Sequence, residues 1–188
     1  MEYSVLGFPA DGPTLSLDWE RFSYAGKFQM SSTGKAVLEE DEVLAAAAFN
    51  ADRDQPDRAW IRYLTVRQDR QGEGLGSELV RRVTRTLLER GYEQVSIAVN
   101  NPIAYRALYR AGFHFTGRET GIAELVLTYP GPQAPATYRA GLSRFAARDL
   151  PDPHATLVEQ WLQAGTPPPL VDDIPLPGDG KEADNGAR

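Results

Sequence analysis

Three glycines at alternate positions, Gly72, Gly74 and Gly76, stand in the run Gln71–Ser77 between a β-prone segment and an amphipathic one. Glycine removes the side chains that would hold a ligand away from the backbone, and it permits φ angles that other residues avoid. Each glycine weakens a helix by about 1 kcal/mol relative to alanine. The free N–H groups of a first helical turn attract an anion, by about 0.3 to 2 kcal/mol per charge. The pattern therefore favours a diphosphate site at the start of a helix.

Two other nucleotide-binding motifs do not fit this turn. Neither Gly72 nor Gly74 can begin the G-x-G-x-x-G pattern of dinucleotide-binding folds. No Gly-Lys-Ser/Thr sequence follows, as a P-loop would require. The remaining alternative is a turn that merely tightens the connection between a strand and a helix.

The elements on either side of the turn follow from hydrophobic spacing. Trp60–Val66 is rich in β-branched and aromatic residues and is predicted to be a strand. From Leu75 apolar residues recur at helical spacing, with arginines on the opposite face, which predicts an amphipathic helix that stops near Gly91. Gln94–Val99 is predicted to be the next strand, so the crossover between the two strands should be right-handed.

A second helix is predicted to begin at Asn101 and to end before Gly112. Asparagine is a preferred N-cap, proline is favoured in the first turn, and glycine is favoured at the left-handed C-terminal position. Other predicted strands are Thr14–Asp18, Lys35–Glu39, Val43–Phe49, Phe113–Phe115 and Ile122–Tyr129. The class is therefore α/β or α+β with mixed strand pairing.

Three segments are predicted along the chain. Residues 1–130 are predicted to form one α/β domain that contains the glycine-rich turn, and residues 131–165 an extension with two short helical patterns. The tail 166–188 is rich in Pro, Gly and Asp, so we expect it to be flexible, because it has little apolar area to offset the entropy of ordering.

Two motifs in this order resemble the GNAT acetyltransferase superfamily. Gln71-x-x-Gly74-x-Gly76 matches its Gln/Arg-x-x-Gly-x-Gly/Ala signature, and Asn101-x-x-Ala104, followed by Gly112-Phe113, is similar to its second helix. The similarity covers about residues 45–129. It implies a mixed, mostly antiparallel central sheet, flanked by helices, in which two parallel strands splay apart, with the helical extension added at the end.

The resemblance also implies acetyl-CoA as cosubstrate, and it implies where the coenzyme lies. Pantetheine would pair with backbone near Leu64 and Val66, as an added strand does. The amides from Gly72 to Ser77 would receive the pyrophosphate, and Asn101 would bind the pantetheine arm or simply cap its helix. The implied coenzyme-binding residues are Leu64, Val66, Gln71, Gly72, Glu73, Gly74, Leu75, Gly76, Ser77 and Asn101.

Acyl transfer to an amine needs a deprotonated amine and benefits from an acid near the leaving thiolate. Family members often place a tyrosine four residues before the Gly-Phe pair, where this chain has Leu108. Tyr109 and Tyr105 stand beside that position and are candidates for the acid, or they are packing residues. Glu124 and Glu119 are the candidates for the base, and a water chain to backbone carbonyls would also serve. Aromatic residues that could line the acceptor cleft, or belong to the core, are Phe22, Tyr24, Phe28, Trp60 and Tyr63.

Composition limits the other possibilities. The 188 residues carry a net charge of −6, which argues against nucleic-acid binding, and no apolar run is long enough to span a membrane. With no cysteine and two separated histidines, a metal site is not expected. We expect a cytoplasmic enzyme that acetylates a small-molecule amine or a peptide N-terminus. The alternatives are a non-catalytic CoA-binding or regulatory module, and a chain whose last helices pack on a partner, such as a second copy in a homodimer.

Overall fold

The computed structural model describes residues 1–170, which form seven strands and four α-helices. The predicted flexible tail lies mostly at 171–188, outside the described residues. The strands are β1 (Glu2–Gly7), β2 (Gly34–Glu39), β3 (Val43–Ala51), β4 (Arg58–Val66), β5 (Gln94–Val99), β6 (His114–Glu119) and β7 (Leu125–Tyr129). The helices are α1 (Leu75–Glu89), α2 (Pro102–Arg110), α3 (Pro135–Ala146) and α4 (Asp152–Ala164). None of the helices within 1–170 combines the length and the apolar character that crossing a bilayer requires.

The strands form one sheet in the order β1-β2-β3-β4-β5-β7-β6. The pair β4–β5 is parallel, and the other five neighbouring pairs are antiparallel. The predicted class is confirmed, because a mixed and mostly antiparallel sheet is flanked by helices. The parallel pair arises because α1 carries the chain back along the sheet before β5 begins.

An extra residue in β4 separates its second half from β5. Opposite β3, Ala48 pairs with Tyr63 and Phe49 pairs with Ile61, which leaves Arg62 without a partner residue of its own. Such a β-bulge bends the strand and increases its local twist. The pairing of β4 with β5 accordingly runs from Arg58 only as far as Ile61. Beyond that point the two parallel strands diverge toward their carboxyl ends, as predicted.

The helices cover one face of the sheet. The residues of α1 that are buried against it include Leu75, Leu79, Val83 and Leu87, which recur every four residues. Ala45 and Ala47 of β3 belong to the same apolar core, and their small side chains let the helix lie close to the strand. The opposite face is covered by the segment 13–30, which packs a smaller core against Val37, Ala46 and Ala48.

The helical extension completes the larger core. Tyr138, Leu142 and Phe145 of α3 and Val158 of α4 are all buried in it. Gly141 is required for this packing, since a Cβ there would lie 2.1 Å from the Tyr105 hydroxyl of α2. The α3–α4 hairpin is therefore continuous with the core of the sheet.

Two predicted strands need correction, and one strand was not predicted. The residues Thr14–Asp18 form an irregular segment, and β1, which was not predicted, pairs with β2 at the sheet edge instead. Alternating polarity fits both segments, but the edge accepts only one strand. The strand predicted to begin at Ile122 begins at Leu125, because residues 120–123 form a turn with Ala123 at φ 61°.

Candidate active site

A cleft of about 590 Å³ opens between the diverging ends of β4 and β5. The start of α1 forms one wall, and one side of α2 forms the other. A second depression, of about 440 Å³, lies on the outer face of α1 and is lined by Tyr3, Glu78, Arg81, Arg82, Arg85, Thr86 and Glu89. Glu78 in this depression pairs with Arg81 and Arg82, and neither the glycine-rich turn nor the β4–β5 gap borders it, so the cleft is the better candidate.

The glycine-rich turn lies at the mouth of the cleft. Gly72 and Gly74 have φ angles of 88° and 83°, in the left-handed region that favours glycine. A Cβ built on either would meet no atom within 4 Å, because both positions face open space. Gly74 is the N-cap of α1, and no side chain within residues 1–170 caps the helix there. The amides of the first turn are thus uncovered at the positive end of a helix of 15 residues.

The edge of β4 beside the gap offers a second set of contacts. Leu64 and Val66 line the cleft and pair with β3 on their other side, while the pairing with β5 has already ended at Ile61. Thr65 lines the cleft as well, and its buried hydroxyl has no hydrogen-bond partner among the described residues. Buried polar groups rarely lack a partner. The gap is therefore suited to an extended ligand that hydrogen-bonds to this strand.

Residues 7–113 match the family model described as the acetyltransferase (GNAT) family. The chain belongs to the GNAT acetyltransferase family. Among curated proteins, no sequence matches the chain significantly.

Solved structures with related folds include other acetyltransferases. The ribosomal-protein-S18-alanine N-acetyltransferase from Escherichia coli has a TM-score of 0.52 and 19% identity, over 71% of this chain and 95% of that one. Nourseothricin acetyltransferase has a TM-score of 0.47 and 21% identity, over 53% of this chain. This chain spans 66% of its length, just under two thirds. The Bacillus subtilis acetyltransferase in complex with CoA has a TM-score of 0.46 and 17% identity, covering 53% and 78% of the two chains. The likeness to the E. coli enzyme shows a shared fold.

In this GNAT chain, nine of the ten predicted coenzyme residues line the cleft. The lining residues among them are Leu64, Val66, Gln71, Gly72, Gly74, Leu75, Gly76, Ser77 and Asn101. Glu73 does not line it, and its carboxylate accepts hydrogen bonds from Arg70 Nε at 2.8 Å. Asn101 caps α2, since its Oδ1 accepts a hydrogen bond from the Ala104 N–H at 2.8 Å. The Asn101 amide nitrogen is a separate donor, so capping and ligand binding are compatible.

The two tyrosine candidates for the acid lie in the core of this GNAT fold. Tyr105 and Tyr109 are both fully buried. The Tyr105 hydroxyl donates to the Tyr138 carbonyl at 3.0 Å, and the Tyr109 hydroxyl accepts from the Phe115 N–H at 2.9 Å. Burial raises the pKa of both hydroxyls. Leu108, on the adjacent side of the helix, lines the cleft instead.

Of the two carboxylate candidates, Glu124 reaches the cleft. The Thr120 hydroxyl donates to its Oε2 at 3.2 Å and accepts from its N–H at 3.1 Å. Ala123, with the left-handed φ of 61°, directly precedes Glu124 in the turn that leads into β7. Glu119, on β6, lies outside the cleft lining and forms an ion pair with Arg144 at 3.5 Å.

Two of the predicted aromatic residues line the cleft of this GNAT chain. The rings of Tyr24 and Tyr63 lie 6.2 Å apart, and Tyr24 has the left-handed φ of 60°. The other three aromatic candidates, Phe22, Phe28 and Trp60, are buried. The sequence reasoning missed Thr65 of β4, Arg106 and Arg110 of α2, and Trp161 of α4. Arg106 and Arg110 are four residues apart, so helical spacing could have indicated that they share one side of α2. Nothing in the sequence indicates where α4 docks.

Proposed function

We propose that this acyltransferase transfers the acetyl group of acetyl-CoA directly to a primary amine. The observation that carries the proposal is the uncovered glycine turn, Gly72–Gly76, at the positive end of α1, next to the gap between β4 and β5. Uncovered amides suit a diphosphate, and the adjacent gap suits an extended amide chain. The depression on the outer face of α1 has neither feature, because no glycine and no strand of the β4–β5 gap lines it.

The residues present fit the coenzyme. The amides from Gly72 to Ser77 would hold the pyrophosphate. Gly72 and Gly74 have no side chain, so the space in front of these amides stays open to a ligand. The backbone at Leu64 and Val66 would pair with pantetheine, and the Asn101 amide would hold the pantetheine arm. When bound, acetyl-CoA supplies an acetyl carbon already activated as a thioester. Holding an amine beside that carbon contributes much of the rate by itself.

Proton transfer in this proposal begins at Glu124. The carboxylate faces the cleft and is held by Thr120, so it is oriented to accept a proton from the attacking amine. Leu108 offers no proton at the place where many relatives have a tyrosine, so the leaving sulfur takes its proton from solvent in the half-open cleft. A positioned acid contributes about 10²- to 10⁴-fold to a rate, and we therefore expect a slow enzyme.

The acceptor in this proposal is a small-molecule amine or a peptide N-terminus that enters past Tyr24 and Tyr63. Their rings offer an apolar and π surface to the carbon skeleton of the acceptor. The E. coli protein with the same fold is named for a ribosomal-protein alanine, which makes peptides with free N-terminal alanine a reasonable part of the test panel.

Thiol release from acetyl-CoA, measured across alkyl amines, diamines, amino sugars and N-terminal peptides, tests the function. Turnover with any primary amine above the rate without enzyme supports it. Binding of acetyl-CoA without turnover on the whole panel would return the non-catalytic CoA-binding interpretation, which the buried Tyr105 and Tyr109 and the apolar Leu108 would then explain. A chain that does not bind acetyl-CoA at millimolar concentration would refute both.

A further inference from the structure

The cleft reaches both faces of the sheet. Leu64 and Val66 pack against the larger core under the helices, whereas Tyr63 packs against the smaller core on the opposite face. Tyr24 lies beside Tyr63 and lines the same cleft as the glycine turn. The acceptor side of the proposed reaction is therefore the face that the segment 13–30 covers.

Arg62, the extra residue of the β4 bulge, lies at the closed end of the gap. It follows Ile61, where the pairing with β5 ends, and it lines the cleft. Its Nε donates to Asn50 Oδ1 at 2.7 Å, and its guanidinium carbon lies 4.9 Å from the centre of the Trp60 ring. Bulges redirect side chains beside active sites. Two contacts thus hold this guanidinium at the end of the gap opposite to the glycine turn.

The charge of Arg62 is not neutralised by an ion pair. Within residues 1–170 no carboxylate oxygen lies within 4.0 Å of its guanidinium nitrogens. Asp52 acts on it electrostatically, but the Asp52 carboxylate already accepts hydrogen bonds from Arg58 and Trp60. Nη1 and Nη2 of Arg62 have no hydrogen-bond partner in the described part of the chain. They can therefore donate two parallel hydrogen bonds to the carboxylate of a ligand.

A second cation lies on the same side of the cleft. Lys27 Nζ is 5.8 Å from the centre of the Tyr63 ring, within the range of a cation–π contact. Lys27 is exposed, and among residues 1–170 it forms no ion pair. Arg62 and Lys27 thus bring two positive charges next to Tyr63, in a chain whose net charge is −6. Such a local excess of positive charge attracts an anionic group.

A carboxylate lines the other side of the gap. Glu124 directly precedes β7, and β5 lies between β7 and β4. Two strand spacings correspond to about 10 Å, and the long arginine side chain can cross much of this distance. Arg62 and Glu124 therefore line the gap from opposite sides with opposite charges. An α-amino acid has the complementary charges, because its carboxylate suits Arg62 and its amine suits Glu124.

We propose that Arg62, assisted by Lys27, binds the carboxylate of the acceptor, so that the acceptors are free α-amino acids. This inference rests on the proposed function and narrows its acceptor to one chemical class. The amine of the bound amino acid forms the new bond to the acetyl carbon and gives its proton to Glu124. The carbon–sulfur bond breaks, and the sulfur leaves with a proton from solvent. The acceptor carboxylate stays unchanged in the product, which is an N-acetylamino acid.

Thiol release by the full chain at saturating acetyl-CoA tests the acceptor class. The assay compares the common amino acids with their amides and with the corresponding amines that lack the carboxyl group. Each amide has the shape of its amino acid without the negative charge. The best amino acid should have a kcat/KM about 10- to 100-fold above that of its amide, the contribution of a hydrogen bond to a charged group. The difference should lie mainly in KM, because the carboxylate does not react.

Variants of the two cations test their roles. Arg62→Gln should reduce the preference to about twofold or less by raising KM for the amino acid, the loss of a charge-assisted hydrogen bond. Arg62→Lys keeps the charge and should restore part of the preference. Lys27→Gln should reduce the preference by about two- to fivefold, as expected for an exposed charge. Both residues are exposed, so these variants should melt as the wild type does.

The matched control is Arg53→Gln, because Arg53 is an exposed arginine whose charge acts on Arg62 from outside the cleft. It should keep the wild-type preference. Equal kcat/KM for amino acids and their amides would overturn the inference and leave the proposed function standing. A preference that survives Arg62→Gln, or that Arg53→Gln abolishes as well, would also overturn it, and so would peptides that react better than every free amino acid. A wild type that acetylates no primary amine would instead refute the proposed function.

Discussion

Replacing Gly74 by aspartate separates the chemistry of the turn from its conformation. Gly74 is the N-cap of α1, and its Cβ position is open. Aspartate is a favoured N-cap and is attracted by the helix dipole. At this position, however, it would have to adopt the left-handed φ of 83° that Gly74 has, which costs about 1–2 kcal/mol of strain. The two effects on folding largely offset each other, so we expect Gly74→Asp to fold with a melting temperature near that of the wild type.

The effect on the coenzyme is much larger. A carboxylate about 5 Å from one phosphate charge repels it by about 3 kcal/mol at an effective dielectric constant of about 20. The same carboxylate takes up first-turn amides that would otherwise bind the pyrophosphate, worth about 1 kcal/mol more. The two effects sum to about 4 kcal/mol. Because every 1.4 kcal/mol of binding free energy changes Kd tenfold, the Kd for acetyl-CoA should rise about 10³-fold.

Calorimetry with acetyl-CoA and thermal unfolding of the same samples measure the two effects. Gly117→Asp is the matched control, because Gly117 has φ 80°, an exposed position and no atom within 4 Å of a built Cβ, yet lies outside the cleft. It should bind acetyl-CoA as the wild type does. Wild-type affinity in Gly74→Asp, or an equal loss of affinity in the control, would show that Gly74 does not hold the pyrophosphate.

Three further variants test other parts of the structure. Tyr109→Phe should lower the free energy of unfolding in urea by about 1–3 kcal/mol, because the buried Phe115 N–H loses its acceptor, while kcat stays within about twofold; a collapse of kcat with stability intact would contradict this. Glu124→Gln should reduce kcat about 10²-fold without changing acetyl-CoA affinity, and full activity would eliminate Glu124 as the base. Burial alone would raise the pKa of Asp52. Hydrogen bonds from the Asp54 N–H, the Trp60 indole and the Arg58 guanidinium outweigh this effect and hold the pKa of Asp52 well below its usual range. The stability from Asp52 is therefore present above an unfolded pKa of about 4 and lost as pH falls toward the folded pKa, so Asp52→Asn should show a smaller drop in unfolding free energy between about pH 5 and pH 2, and equal drops would contradict the assignment.

Local sequence signals predicted the part of the fold that carries the coenzyme site. The four-residue spacing from Leu75 onward gave α1, and Asn101 before a first-turn proline gave the start of α2, because caps and amphipathic spacing are local properties. The glycine turn was placed by its position between a strand and a helix. The divergence of β4 from β5 was implied by resemblance, while its local cause, the bulge at Arg62, depends on pairing with β3.

Features that depend on contacts between distant residues could not be predicted in the same way. Tyr105 and Tyr109 were candidates for the acid because they flank Leu108, but their burial depends on α3, whose Tyr138 contacts both rings. The edge strand β1 forms only through its pairing with β2, residues more than 25 positions away along the chain. The position of Trp161 follows from how the hairpin docks on the core, which no local pattern specifies.

The gap between β4 and β5 depends on a single extra residue in β4, Arg62. If this residue were lost, β4 could run in regular register against β3 and continue its ladder with β5, which would gain backbone hydrogen bonds while closing the gap. A deletion of a single codon could thus yield a well-folded protein without a catalytic cleft. In this sheet, a continuous β4–β5 ladder and an open cleft require the same stretch of β4.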